Sequence, residues 1–417
     1  MSALARAGGE LTLDGVSLEG IAREFGTPCY VYSRAAIEAA FRDFDEGLGG
    51  IDHLVCYAVK ANSTLAILHL LQRLGAGFDI VSGGELARVM AAGGRADRVI
   101  FSGVGKSEAE MRMALAAGIK CFNVESEPEL ERLDAVARSM GKVAPVSIRI
   151  NPDVDAKTHP YISTGMAGNK FGIPHDRAID VYHRAARLAN LRVTGIDCHI
   201  GSQILETAPL DEALDRVLDL TARLEAEGIR FEHIDLGGGI GIRYRDETPP
   251  DVRAYAARLA ARLKDRGYQV LLEPGRAIVG AAGVLLTRIE YLKLDKARHF
   301  AVVDASMSEL LRPALYQAWH DIVPVKERDG AARASFDVVG PVCESSDVLG
   351  TDRALAVQAG DLLAILSAGA YGMAMSSNYN SRPRPAEVMV DGGRALLIRA
   401  RESLESLFEL EKIVDAR

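Results

Sequence analysis

The residues able to do chemistry in this 417-residue chain stand at the ends of short apolar runs. Lys60, Ser82 and Glu125 each close one, Arg149 falls near the end of another, and His199 to Ser202, Gly237 to Gly239 and Glu273 to Arg276 close three more. A lysine at the end of a buried strand is unusual, because burying an unpaired ammonium is costly. Desolvation lowers its pKa and yields a free amine able to form an imine. The ordinary alternative is a surface or salt-bridged lysine. The glycines 237–239 leave backbone N–H groups exposed, as do Gly275 and Arg276. Two such turns and an arginine suit a phosphate. Neither common nucleotide motif fits, since G-x-G-x-x-G from Gly237 would need glycine at Ile242 and a P-loop ending at Gly105-Lys106-Ser107 would need it at Ile100. The latter reads as a turn and helix cap. An imine-forming lysine, a phosphate site and a carboxylate at Glu273 together describe a pyridoxal phosphate site, in which the acid keeps the pyridine nitrogen protonated.

The elements that must position these residues repeat regularly. Eight β-type runs occur between Leu54 and Pro274: Leu54–Lys60, Phe78–Ser82, Val99–Gly103, Cys121–Glu125, Val146–Ile150, Val193–Gly201, Ile234–Gly239 and Val270–Pro274. Helical patterns separate them. Ser126-Glu-Pro-Glu129 reads as a capping box with proline in the first turn, and Gly141 ends that helix. Ser107 with Glu110 repeats the device up to Gly118. Strands alternating with helices pair in parallel, and eight units in ~250 residues match a (β/α)8 barrel, whose active site lies at the C-terminal strand ends. An open doubly wound sheet is the alternative. After Gly275, β-type runs at Val284–Leu292, Phe300–Ala305, Phe336–Gly340, Asp361–Ala368 and Glu387–Val390 lack long helices between them. The expected organisation is therefore a TIM-like barrel over 34–280 and a β-rich, sandwich- or barrel-like domain over 281–417 that recruits 1–33, through Glu10–Leu13 and Cys29–Ser33.

Composition narrows the class. Hydrophobic residues make up 48% and charged residues 25%, ordinary values for a globular chain. The net charge of −8, without a basic block, argues against nucleic acid or an anionic membrane as main partner. Cysteines 29, 56, 121, 198 and 343 show no C-x-x-C spacing. With no apolar leader in the first ten residues, a cytoplasmic location is expected. No residue set is assigned to a metal.

Four collinear stretches carry a resemblance: Tyr57-Ala-Val-Lys-Ala-Asn62, His199-Ile-Gly-Ser-Gln203, Gly237-Gly-Gly-Ile-Gly241 and Glu273-Pro-Gly-Arg276. They resemble the alanine-racemase-like (fold type III) pyridoxal phosphate decarboxylases. His159-Pro-Tyr-Ile-Ser-Thr-Gly165 with Lys170-Phe-Gly172, Leu311-Arg-Pro-Ala-Leu-Tyr316 and Cys343-Glu-Ser-Ser-Asp347 are similar to the diaminopimelate-decarboxylating branch. The resemblance implies that Lys60 holds pyridoxal 5'-phosphate, His199 lies against its ring, and Glu273 faces the ring nitrogen. It assigns Ser202, Gly238, Gly275 and Arg276 to the phosphate. Arg276, Arg312 and Tyr316 would bind substrate carboxylate, Glu344 the far ammonium, and Tyr371 both cofactor and substrate. Cys343 would be the proton donor, whereas the other four cysteines read as small buried hydrophobes. The stretch 151–174 would be a lid. The implied reaction converts meso-2,6-diaminoheptanedioate to L-lysine and carbon dioxide, in a homodimer whose sites are shared. Decarboxylation of arginine, ornithine or carboxynorspermidine, a barrel racemase, and a non-catalytic cofactor carrier are the rivals.

Overall fold

The computed structural model describes residues 3–155, 170–296, 298–328 and 330–414. These form two compact units, one of 38–242 and 247–278, the other of 1–37, 243–246 and 279–417.

In the first unit, eight parallel strands close on themselves: His53–Ala58, Gly77–Ile80, Val99–Phe101, Cys121–Val124, Ala144–Asn151, Leu191–Asp197, His233–Asp235 and Gln269–Leu272. The last pairs with the first, so the open sheet is excluded. The strands read as continuous apolar runs because helices cover one face and the barrel core fills the other. Leu54, Cys56, Ile100, Cys121 and Leu271 form a buried cluster inside. Successive inward positions are two residues apart. Ser102, Asn123 and Glu273 therefore follow Ile100, Cys121 and Leu271 onto the same face, one step nearer the C-terminal strand ends. This places a polar tier directly on an apolar one.

Helix caps fix where these ends turn. Ser107 and Glu110 form the full reciprocal box before Glu108–Ala117, and left-handed Gly118 stops that helix. Ser126 caps Glu127–Ser139 through the Glu129 N–H, but only half of the expected box forms. The Glu129 carboxylate turns instead to the Glu125 N–H at 2.9 Å and to Lys106 at 2.7 Å. A buried lysine outcompetes the cap for that acid.

The second unit is a branched mixed sheet with the order Val348–Leu355, Ala334–Val339, His299–Val303, Gly283–Leu294, Cys29–Ser33, Ala386–Asp391 and Arg394–Arg399. Leu362–Ile365 and Ile322–Pro324 branch from Gly283–Leu294. Cys29–Ser33 sits inside this sheet as expected, antiparallel to Gly283–Leu294 and parallel to Ala386–Asp391. Glu10–Leu13 belongs to the same unit, but pairs with Leu4–Ala7 and Val16–Ser17 in a small sheet of its own.

Candidate active site

Two lysines at the barrel's strand ends are sorted by their partners. Lys106 donates to the Gly103 carbonyl at 2.8 Å, the Asn123 carbonyl at 2.6 Å and Glu129 at 2.7 Å. An ammonium has three donors, so Lys106 is saturated and structural. Lys60 follows His53–Ala58 in a single 3-10 turn, Val59–Ala61, and its side chain is 37% exposed. Its ammonium pairs with Asp79, which is fully buried. A salt-bridged lysine is the alternative that the sequence leaves open beside a desolvated amine, and Asp79 gives Lys60 such a partner here. Asp79 was missed because a single acid inside an apolar run carries little signal.

Glu273 ends its strand in a polar pocket. Its Oε1 accepts from the Ser102 hydroxyl and from the Asn123 amide, both at 3.4 Å. The Asn123 amide also donates to Ser102 at 3.2 Å. Carboxylate oxygens of Asp197, Asp235 and Glu273 lie within 4.8 Å of one another. Burial, reinforced by Asp235 and Asp79, pushes the Glu273 carboxyl well above the usual range. Burial likewise raises Asp235 to about 6 and holds Asp197 high. The guanidinium of Arg149 answers part of this charge, 3.2 Å from Glu125 and 4.0 Å from Asp197. Crowded, desolvated carboxyls resist ionising together, so each raises the proton affinity of the others.

His199 accepts the Gly238 N–H at its Nδ1, at 3.1 Å. Desolvation, with Arg149 and Lys60 nearby, lowers its pKa well below 6.5, so the ring is neutral. The Gly238 amide thus orients the imidazole. Gly237 has φ +64° and a Cβ there would stand 2.7 Å from His199 Nδ1. No L side chain fits that turn without moving the imidazole. Arg276 donates to the Ser202 hydroxyl at 3.0 Å, bringing together two residues assigned to a phosphate. At Gly275 a Cβ would meet Ala61 at 2.9 Å. An amine, a cradle open only to glycine, a guanidinium with a hydroxyl, and a buried carboxyl fit pyridoxal phosphate. Ser82, another strand-end candidate, is a helix cap for Gly83–Ala91.

The second unit carries the remaining candidates. Arg312 and Tyr316 share the short helix Arg312–Tyr316, as their four-residue spacing implied. Arg312 is buried, with its guanidinium carbon 4.4 Å from the centre of the Tyr244 ring. Cys29, Cys56, Cys121 and Cys198 are buried, and Cys343 alone among the five is exposed. Its turn is pinned by Asp347, whose carboxylate accepts the Met307 and Val342 N–H groups at 2.6 and 2.7 Å. The Cys343 N–H donates to Asn380 at 3.0 Å, and the exposed Glu344 accepts from the Tyr379 hydroxyl. Tyr371 has φ +56° between Gly369 and Gly372, where added Cβ atoms would meet backbone at 1.9 Å and the Tyr30 hydroxyl at 2.5 Å. Most of the 151–174 stretch, including His159 to Gly165, lies outside the described residues.

Residues 34–280 match the model of the pyridoxal-dependent decarboxylase, pyridoxal binding domain family. The chain is 58% identical over 407 residues to a diaminopimelate decarboxylase of Vibrio cholerae, covering 97% of each. It is also 58% identical to one of Pseudomonas fluorescens, covering 99% of this chain and all of the other. A crystal structure of diaminopimelate decarboxylase from Helicobacter pylori complexed with L-lysine is 43% identical, with a TM-score of 0.90 over 94% of this chain and 98% of that one. With a closed barrel carrying Lys60, Glu273 and the two glycine turns, and with relatives of this identity along nearly its whole length, the chain belongs to the diaminopimelate decarboxylase family of pyridoxal-dependent decarboxylases.

Proposed function

We propose that this enzyme decarboxylates meso-2,6-diaminoheptanedioate to L-lysine. The observation that carries the reading is the assembly, at one end of the barrel, of Lys60 on Asp79, neutral His199, buried Glu273 with its raised proton affinity, and Arg276 on Ser202. The names of the relatives and the lysine in the Helicobacter structure support the substrate. Pyridoxal phosphate, when bound, supplies the electron sink for the pair left as the carboxylate departs.

The protein's residues do the rest. Lys60, with its amine seated on Asp79, would hold the cofactor. Ser202, Arg276 and the turns at Gly238 and Gly275 hold the phosphate. Glu273, steadied by Asn123 and Ser102, would face the ring nitrogen and keep it protonated. The neutral imidazole of His199 would lie against the cofactor and exclude water. Arg276, Arg312 and Tyr316 bind substrate carboxylate, Glu344 the distant ammonium, and Tyr371 both ligands. Cys343 returns a proton from Sγ to the carbon that lost carbon dioxide. Exposure of Cys343 and Glu344 fits residues offered to a second subunit of a homodimer. Five free thiols fit a reducing cytoplasm.

The deciding experiment measures carbon dioxide release from diaminopimelate, ornithine, arginine and carboxynorspermidine. Release from diaminopimelate with formation of lysine is expected. Turnover of ornithine but not diaminopimelate, or interconversion of enantiomers without carbon dioxide, overturns the proposal.

A further inference from the structure

Arg312 is held from behind by a histidine outside every sequence motif quoted above. His320 is completely buried, and its Nδ1 lies 2.8 Å from the Leu366 carbonyl oxygen. A carbonyl only accepts, so Nδ1 carries the hydrogen. On the other side of the ring, Nε2 stands 2.7 Å from an Arg312 guanidinium nitrogen. Arginine only donates, so Nε2 must offer its lone pair. Both contacts are satisfied by one species alone, the neutral imidazole with hydrogen on Nδ1. The Tyr244 ring completes the seat, with the His320 ring at 5.1 Å and 78° to it and the Arg312 guanidinium on its face.

The backbone explains why this geometry is rigid. Ile322–Pro324 pairs antiparallel with Leu362–Ile365 in the register Ile322 to Ile365. The Leu366 N–H continues the ladder to the Asp321 carbonyl at 2.8 Å, so His320 and Leu366 meet just past its end. Arg312 begins its helix after Leu311, and left-handed Gln317 turns the chain back so that His320 lies under the arginine. A long flexible side chain is thereby fixed by a ring that is itself fixed by the sheet.

We propose that His320 is a positioning residue that aims Arg312 at the carboxylate of the substrate end that is not decarboxylated. The inference rests on the reading of Arg312 as a carboxylate ligand. A guanidinium held in place loses less side-chain entropy on binding, which places the effect in affinity for carboxylate-bearing ligands and leaves bond cleavage untouched.

L-Lysine and cadaverine separate these effects, because they differ by the one carboxylate that diaminopimelate retains after the reaction. Dissociation constants of both for the holoenzyme, with KM and kcat for diaminopimelate, are measured for wild type, His320→Leu, His320→Gln and Arg312→Met. His320→Leu should weaken lysine and raise KM about tenfold or more, with cadaverine binding and kcat changed less than about threefold. His320→Gln keeps an acceptor oxygen and should recover most of the loss. Equal weakening of lysine and cadaverine, wild-type lysine binding in His320→Leu, or a fall in kcat at constant KM overturns the proposal. If Arg312→Met weakens lysine but His320→Leu does not, only the positioning role fails. If Arg312→Met leaves lysine binding unchanged, the carboxylate reading itself fails and this inference falls with it.

Discussion

At the scale of single residues, the active end of the barrel is a problem in proton storage. Glu273→Gln removes the acid that can hold a proton against the ring nitrogen, while Lys60 and the phosphate turns remain. Cofactor should still bind, shown by its absorbance after gel filtration, and turnover should fall about 10²-fold or more. Near-normal turnover would mean that another group governs the nitrogen. Asp235 makes a second test, in the apoprotein. Its carboxyl is raised from 3.8 to about 6 by burial, so the fold binds this proton more tightly than the unfolded chain does. The stabilisation is present below pH ~4 and is lost as pH rises toward 6, worth up to about 3 kcal/mol. Asp235→Asn cannot titrate. Its stability relative to wild type should therefore improve between pH 4 and 6 in urea unfolding, and a difference independent of pH would refute this.

At the scale of elements, the same period-two rule that builds the polar tier also sets a close approach one inward step before it, where Gly195 pairs with His233. A Cβ at Gly195 would lie 2.2 Å from His233 Nε2, and burial keeps that imidazole neutral, with a pKa of about 3. Gly195→Ala should cost about 1–3 kcal/mol by overpacking. His233→Ala in the same chain should make the two losses sum to less than their separate values, measured by chemical denaturation. Strictly additive losses would show that the clash relaxes elsewhere. All eight barrel strands were legible because burial on both faces writes long apolar runs, and their helices announce themselves through Ser107, Ser126 and Gly118. Val348–Leu355 and Arg394–Arg399 escaped notice because each has a partner on one side only and several exposed positions. Lys60, His199, Glu273 and Arg276 were readable as strand-end chemistry. Asp79, Ser102, Asn123 and His320 were not, since each acts through another residue and leaves a single polar letter as its only trace.

At the scale of the whole molecule, the candidate residues are divided between two chain units, Lys60 and Glu273 in one and Cys343, Glu344 and Tyr371 in the other. If two subunits share each site, Lys60→Ala and Cys343→Ala are each nearly inactive alone yet complement on mixing. One site of a mixed dimer then carries both lesions and the other carries neither. Random re-association of equal amounts should restore roughly a quarter of wild-type activity, because about half of two-fold dimers are mixed. No recovery after verified subunit exchange would assign each complete site to a single chain.

The place of Cys29–Ser33 in the mixed sheet has a consequence for synthesis. This strand leaves the ribosome ahead of both its neighbours, Gly283–Leu294 and Ala386–Asp391. At ~5–20 residues per second, the later neighbour emerges tens of seconds afterwards. Every strand of the barrel is made in that interval, so the barrel has all its pieces while Cys-Tyr-Val-Tyr-Ser still lacks both edges. An apolar strand without partners is a template for wrong pairing. The part of the nascent chain most in need of a chaperone's shelter is therefore this strand, made before the barrel and enclosed only after it.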